Sequence, residues 1–270
     1  MKTVVVTGST RGIGRGLAEN FLSRGCRVMI SGRSQETVDA AVAELAAAFS
    51  ADRVVGQACN IVDPQQIQSL WDGAMEAFGR VDIWINNAGV SSPRVLLRDA
   101  DPADIKNVVD IDLNGMLQCN RVALKGMHEQ GHGQIWNMEG FGSGGQTNAG
   151  MSVYGATKRA VNYLNKALQK EVADSPVQVC TLSPGIVVTD LLIGDYDLTS
   201  AEWQKARRVM NILGDTVETV TPFLVDGILK AEKGGSKVVW LTGRKAFARF
   251  MTARFKPRDL FSDIERARGV

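Results

Sequence analysis

Thr7-Gly8-Ser9-Thr10-Arg11-Gly12-Ile13-Gly14 stands directly after the apolar run Val4–Val6 and directly before a helical pattern. Glycines let such a turn close tightly and bring backbone N–H groups against a pyrophosphate at the positive end of the following helix. A lone glycine pattern is weak, but one set between a strand and a helix has the context the mechanism requires. Gly8, Ser9, Thr10, Arg11, Gly12, Ile13 and Gly14 are therefore read as a loop that holds a dinucleotide. A purely structural turn is the plainer alternative.

Outward from this loop, short β-branched runs alternate with longer amphipathic stretches. The strand candidates are Thr3–Thr7, Val28–Ser31, Val54–Gln57, Val81–Asn86, Gln134–Met138, Val177–Leu182 and Val238–Leu241. They are almost continuously apolar, as parallel strands covered on both faces are. Helical patterns run over Gly14–Arg24, Gln35–Phe49, Pro64–Phe78, Ile105–Gln130 (in one or two pieces), Ser152–Asp174 and Val217–Ala231. Such alternation predicts a single-domain α/β fold with a doubly wound parallel sheet, whose ligands sit beyond the carboxyl ends of the strands. A glycine-rich loop over 139–151 and an apolar insertion over 189–215 interrupt the rhythm at that edge.

The chain has 270 residues, 44% of them apolar, enough for one sizeable core and against disorder. Its formal net charge is +2, but residues 244–270 hold eight Lys/Arg against three Asp/Glu. The main body is thus slightly acidic, which argues against nucleic acid as a partner. Cys26, Cys59, Cys119 and Cys180 are scattered and read as buried thiols. A strand pattern within two residues of the N-terminus leaves no room for a targeting peptide, and no apolar run approaches a membrane span, so a cytoplasmic location is expected.

An NAD site usually ends its second strand on an acid. Here that strand ends Ile30-Ser31-Gly32-Arg33-Ser34. Arg33, with Arg11 in reach, suits a 2′-phosphate instead, since guanidinium–phosphate pairs are strong and often bidentate. NADPH is the expected cofactor, with two solvated surface arginines as the alternative.

Tyr154-Gly155-Ala156-Thr157-Lys158 opens a helix, and a spacing of four places both side chains on one face. A free phenol, with a pKa near 10, holds its proton too firmly to shuttle it at neutral pH. A nearby ammonium favours the phenolate, so Lys158 could tune Tyr154 as a general acid for carbonyl reduction.

Taken together, the sequence resembles the short-chain dehydrogenases/reductases from end to end. Thr7-Gly-x-x-x-Gly12-x-Gly14, Asn86-Asn87-Ala88-Gly89, Tyr154-x-x-x-Lys158 and Pro184-Gly185-Ile186-Val187-Val188-Thr189 follow in family order and spacing. The resemblance implies a Rossmann-type sheet of seven parallel strands, residues 1–243 as its NADP-binding catalytic domain and 244–270 as a basic tail. It implies Asn86 and Ala88 on the adenosine side and Asn87 and Gly89 among the cofactor-binding residues, with Asn60, beside Ile61, where an adenine-binding Asp is usual. Lys158 would hold the nicotinamide ribose, Val187 and Thr189 would lie near the carboxamide and phosphates, and Pro184 and Gly185 would also contact the cofactor. A homodimer or homotetramer through the helices near 105–130 and 152–174 is also implied.

Two positions depart from the family pattern. The serine that polarises the substrate carbonyl is missing from Asn137-Met138-Glu139-Gly140, and Ser143 is the nearest replacement. The asparagine of the proton relay is replaced by Asp112, whose backbone carbonyl could still hold the relay water. Tyr154, Lys158, Ser143 and Asp112 are thus the candidate catalytic residues.

The first departure points to one branch. Trp136-Asn-Met-Glu-Gly-Phe-Gly-Ser-Gly-Gly145, Val153–Lys158, Val81–Gly89 and Ser183–Leu192 closely resemble the chlorophyll b reductases. That resemblance implies NADPH-dependent reduction of the 7-formyl group of chlorophyll b, or of its chlorophyllide, to a hydroxymethyl group. Small residues at 140–145 leave room for a flat, bulky tetrapyrrole, and 189–215 offers apolar cover. Loop mobility and core or subunit packing are the plainer readings. Reduction of another bulky ketone, or cofactor binding without catalysis, are the competing functions.

His128 and His132 have the spacing of a zinc pair, but Gly131 and Gly133 break their helix and no third ligand is evident, so no metal is expected. The tail's Phe247, Phe250 and Phe255 among basic residues suit either a subunit contact or peripheral contact with an anionic membrane.

Overall fold

Each of the seven apolar runs becomes a strand: β1 Thr3–Val6, β2 Arg27–Gly32, β3 Val54–Ala58, β4 Ile83–Asn86, β5 Gly133–Met138, β6 Val177–Ser183 and β7 Lys237–Val239. The computed structural model describes residues 1–194 and 196–269; Asp195, within the segment 189–215, and Val270, at the end of the tail, lie outside the described residues. The strands form one parallel sheet in the order β3-β2-β1-β4-β5-β6-β7. This is the doubly wound fold expected from the sequence.

Alternation along the strands feeds two apolar layers. Val4, Val6, Ile83, Ile85, Trp136 and Leu182 face one, while Val5, Trp84, Ile135 and Val179 face the other. Both sides are buried, which is why the runs read as continuously apolar rather than alternating. Fully burying one such Val or Ile side chain contributes on the order of 1.5–3 kcal/mol.

The helices that cover the first layer include α1 Gly12–Ser23, α2 Gln35–Ala48 and α9 Val217–Lys230. Against the second lie α3 Pro64–Phe78, α5 Met116–Gln130 and α6 Ser152–Glu171. The long pattern over 105–130 is two helices joined by a π turn: α4 Pro102–Val109, then Asp110–Gly115, then α5. Asp101 caps α4 by accepting from the Ala103 amide, with Pro102 at the first helical position.

The insertion carries α7 Asp190–Ile193 and α8 Ala201–Leu213. The tail carries α10 Gly243–Thr252 and α11 Ser262–Ala267, and it folds back onto the insertion. Ile193, Leu198, Trp203, Met210 and Phe261 make a third, smaller core, with Trp203 edge-on to Phe261 at 5.2 Å. Arg249 and Arg258 both reach the buried Asp215, at 2.8 and 2.7 Å. Among the described residues, no helix is long and apolar enough to cross a membrane.

Candidate active site

A cavity of about 790 Å³ runs along the carboxyl ends of the strands, and the chain just after each of β1 to β6 lines it. The order reverses between β1 and β4, so the chains leaving these neighbours diverge and leave a crevice. The sequence-predicted cofactor residues converge there with two exceptions, Ser9 and Asn86: Gly8, Thr10, Arg11, Gly12, Ile13, Gly14, Arg33, Asn60, Ile61, Asn87, Ala88, Gly89, Lys158, Pro184, Gly185, Val187 and Thr189 all face the cavity. Ser9 does not. Its hydroxyl donates to the Val6 carbonyl at 2.7 Å and accepts the Ser31 amide at 2.9 Å, fastening β1 to β2.

Backbone proximity explains the glycines of the first turn. Gly8 has φ +62°, and a Cβ there would stand 2.8 Å from Ala88 Cα; one on Gly14 would stand 2.3 Å from the Gly8 carbonyl oxygen. The Asn87 side-chain amide donates to the carbonyls of Thr7 and Gly8, both at 2.9 Å. Arg11, at the N-cap of α1, gives no side-chain cap, so the first helical amides are left for a ligand's oxygens. These features fit a dinucleotide phosphate. Arg11 pairs with Asp190 at 3.4 Å, which leaves Arg33 as the arginine beyond β2.

Asn86, expected on the adenosine side, is instead buried in the sheet. It accepts from Trp84 Nε1 at 2.8 Å and donates to Asn137 at 2.7 Å. As the last residue of β4 it points into the protein, while Asn87 opens to the cavity.

Tyr154 and Lys158 stand one turn apart on α6, with Lys158 Nζ 5.4 Å from the phenol ring centre. Asp112, in the π turn, is fully buried; Oδ1 accepts the Val90 amide at 2.8 Å and Oδ2 lies 3.2 Å from Lys158 Nζ. Single π turns recur at functional sites because they re-aim a side chain within a helix. The carboxylate itself, beyond its backbone carbonyl, is therefore part of the site. Burial pushes the Tyr154 phenol up; the Lys158 charge pulls it down, Asp112 pushes it up again, and the net shift is upward. The lowering expected from Lys158 is present but outweighed. Burial would lower Lys158, yet Tyr154 and Asp112 hold it above the usual lysine value. Burial raises the Asp112 carboxyl, against the pull of Lys158.

The loop after β5 corrects the reading of Ser143. Its hydroxyl accepts the Gly140 amide at 3.1 Å and donates to the Lys158 carbonyl at 3.0 Å, in a buried position behind the cavity wall. Gly142, at φ +97°, turns the chain so that Ser143 fastens the loop to α6 rather than facing Tyr154. Gly140 lies against the phenol instead: a Cβ there would sit 2.4 Å from Tyr154 Oη. Glu139 is tied off by Lys237 at 2.7 Å and Asn162 at 2.9 Å. His132 sits in a polar cluster with Arg80, Asp82 and Gln130 at the opposite sheet edge.

Sequence reasoning passed over Arg94 and left Tyr196 as generic apolar cover, yet both line the substrate end of the cavity with Phe141, Asn148 and Met151. Arg94 Cζ lies 4.4 Å from the Tyr196 ring centre. Nothing local marks that pair, since its members are a hundred residues apart.

Comparison with known proteins agrees with this arrangement. The family model for short chain dehydrogenases matches residues 2–197, and the chain belongs to that family. The chlorophyll(ide) b reductase NOL, chloroplastic, of rice (Oryza sativa subsp. japonica) is 36% identical, over 92% of this chain and 74% of its own length. The probable chlorophyll(ide) b reductase NYC1, chloroplastic, of the same plant is 34% identical over 98% of this chain, which spans 55% of that relative's length. A solved structure of ElxO with NADP bound superposes at a TM-score of 0.76 and 25% identity, covering 88% of this chain and 96% of that one. The protein is thus an oxidoreductase of the short-chain class with a nicotinamide-cofactor fold. The cytoplasmic location expected from the sequence is corrected: the chlorophyll(ide) b reductases it matches are chloroplastic.

Proposed function

We propose that this chain reduces the 7-formyl group of chlorophyll(ide) b to a hydroxymethyl group, with NADPH as its cofactor. The observation that carries the reading is Gly140. It stands where a short-chain reductase usually presents a serine, packed so closely on Tyr154 that a Cβ would sit 2.4 Å from Oη, and both line a cavity of about 790 Å³ that can take a flat, bulky ring beside the cofactor. The likeness to chlorophyll(ide) b reductases supports it, since it runs over nearly the whole chain, past residue 197 and into the segment that walls the cavity with Val209 and Met210.

On this reading residues 1–243 are the NADP-binding catalytic domain and 189–215 cover the substrate. Backbone amides of Gly12 and its neighbours hold the phosphates, and Arg33 takes the 2′-phosphate. NADPH, when bound, supplies the hydride. Tyr154 Oη donates the proton to the carbonyl oxygen, and Lys158, kept charged by Asp112, stabilises the phenolate left behind. Homodimer or homotetramer assembly through α4 to α6, where Leu117 and Tyr163 are exposed, belongs to the same reading, as does peripheral membrane contact through Phe247, Phe250 and Phe255 of the tail.

The test is incubation with NADPH and chlorophyllide b while the pigment's absorption spectrum is followed. Formyl reduction is expected, and Tyr154→Phe is expected to bind dinucleotide normally but turn over about 10²–10⁴-fold more slowly. Cofactor binding with no change in the pigment, beside reduction of other bulky ketones, overturns the substrate. An unslowed Tyr154→Phe enzyme overturns the chemistry.

A further inference from the structure

The substrate end of the cavity holds a cation that neither the phosphate loop nor the Tyr154–Lys158 pair uses. Arg94 lines the wall on the segment after β4, half-buried, with its guanidinium over the Tyr196 ring and Nη1 3.1 Å from Met151 Sδ. A thioether is a weak acceptor and a ring face takes no more than one side of the group, so most of the five-donor fork remains unspent. Of the other charged side chains lining this cavity, Lys158 is engaged by Asp112, Glu139 by Lys237 and Arg11 by Asp190, while Arg33 stands beyond β2 at the part read as the cofactor's. Among the described residues, none of the ion pairs involves Arg94.

A guanidinium set against aromatic and aliphatic wall loses hydration, and an anion that pairs with its fork is the strongest compensation. Met151 lies one turn before Tyr154 on the same chain, so the open donors and the phenol share one chamber. The charge is felt there: burial raises the Tyr154 phenol, and Arg94 is among the groups that pull it back.

We infer that Arg94 is a carboxylate subsite, so that the molecule reduced at Tyr154 carries an ionised acid arm on the ring system that bears its carbonyl. Resting on the chlorophyll(ide) reading, this selects the free acid, with its propionate side chain, over the esterified pigment. Tyr196 positions the guanidinium; Arg94 binds.

The experiment compares chlorophyllide b with its methyl ester, on the full chain with NADPH, by kcat/KM and by pigment-fluorescence titration. The wild type is expected to favour the acid by about ten- to a hundredfold, the cost of one lost charged hydrogen-bonded pair. Arg94→Gln is expected to erase that preference in both measurements, and Arg94→Lys, which keeps the charge without the fork, to retain part of it. Equal handling of acid and ester by the wild type overturns the subsite, as does an undiminished preference in Arg94→Gln. Acid-selective, Arg94-dependent binding without formyl reduction upholds the subsite and overturns the proposed reaction. Binding of neither pigment overturns both.

Discussion

Lys158 Nζ stands 3.2 Å from Oδ2 of a wholly buried Asp112, so the ammonium that serves Tyr154 is held by a carboxylate where an amide is usual. That charge raises both Tyr154 and Lys158. Removing it in Asp112→Asn lowers both. A general acid works while protonated, so its rate falls as pH rises through its pKa. The descending limb of the kcat/KM profile for reduction is therefore expected to move to lower pH in Asp112→Asn. A limb that stays in place or moves upward would remove Asp112 from the proton chemistry.

Ser143 and Gly140 make opposite predictions to those of an ordinary member of the family. Ser143→Ala strips a buried hydroxyl from the Gly140 amide and the Lys158 carbonyl, costing about 1–3 kcal/mol of stability, with kcat falling less than about tenfold. Gly140→Ser, which reinstates the usual serine, forces a Cβ against Tyr154 Oη and is expected to lower kcat about 10²-fold through misplacement of the phenol. Urea denaturation and steady-state kinetics check both. A rate gain in Gly140→Ser would mean that the phenol has room to yield.

On the proposed reading, cofactor choice rests mainly on Arg33, because Arg11 faces Asp190 at the surface. Arg33→Asp is expected to shift the NADPH-to-NADH ratio of kcat/KM by about 10²-fold toward NADH, the worth of a guanidinium–phosphate pair. Arg11→Asp should shift it less. Equal effects from the two would assign the 2′-phosphate to both.

Asp215 ties the tail to the body through Arg249, Arg258 and Trp240 Nε1. Burial pushes its carboxyl up, but the hydrogen bonds from Arg249, Trp240 and Arg258 outweigh this and hold it below the usual range. A depressed folded-state pKa stabilises above the unfolded value, near 4, and the contribution fades as pH falls through the depressed one. Asp215→Asn is expected to cost about 2–3 kcal/mol at neutral pH, discounted for the partial exposure of both arginines. The deficit should shrink below about pH 4. A pH-independent deficit in thermal unfolding would mean that shape rather than charge holds the tail.

The central strands were legible because parallel strands buried on both faces are apolar at each position, as Val4–Val6 and Ile83–Ile85 are, while the edge strands β3 and β7 are only partly buried and were read from their short β-branched runs. Boundaries moved by a residue or two; Val81 precedes β4 and Leu241 follows β7. Helices α8 and α10 were passed over as cover and tail, although Trp203 and Met210 sit seven apart on one face. The apolar partner of Trp203 is Phe261, at the start of α11 in the tail, and not the sheet.

The glycine turn, the Tyr154–Lys158 spacing and the sheet were written into local order, because backbone reach and helical pitch act between near neighbours in the chain. Which way Ser143 points, that Asp112 meets Lys158 by its carboxylate, that Asn86 turns inward, and that Arg94 rests on Tyr196 came only with folding. Each of those facts joins groups from 15 to about a hundred residues apart, and a pattern read along the chain carries no distance between them.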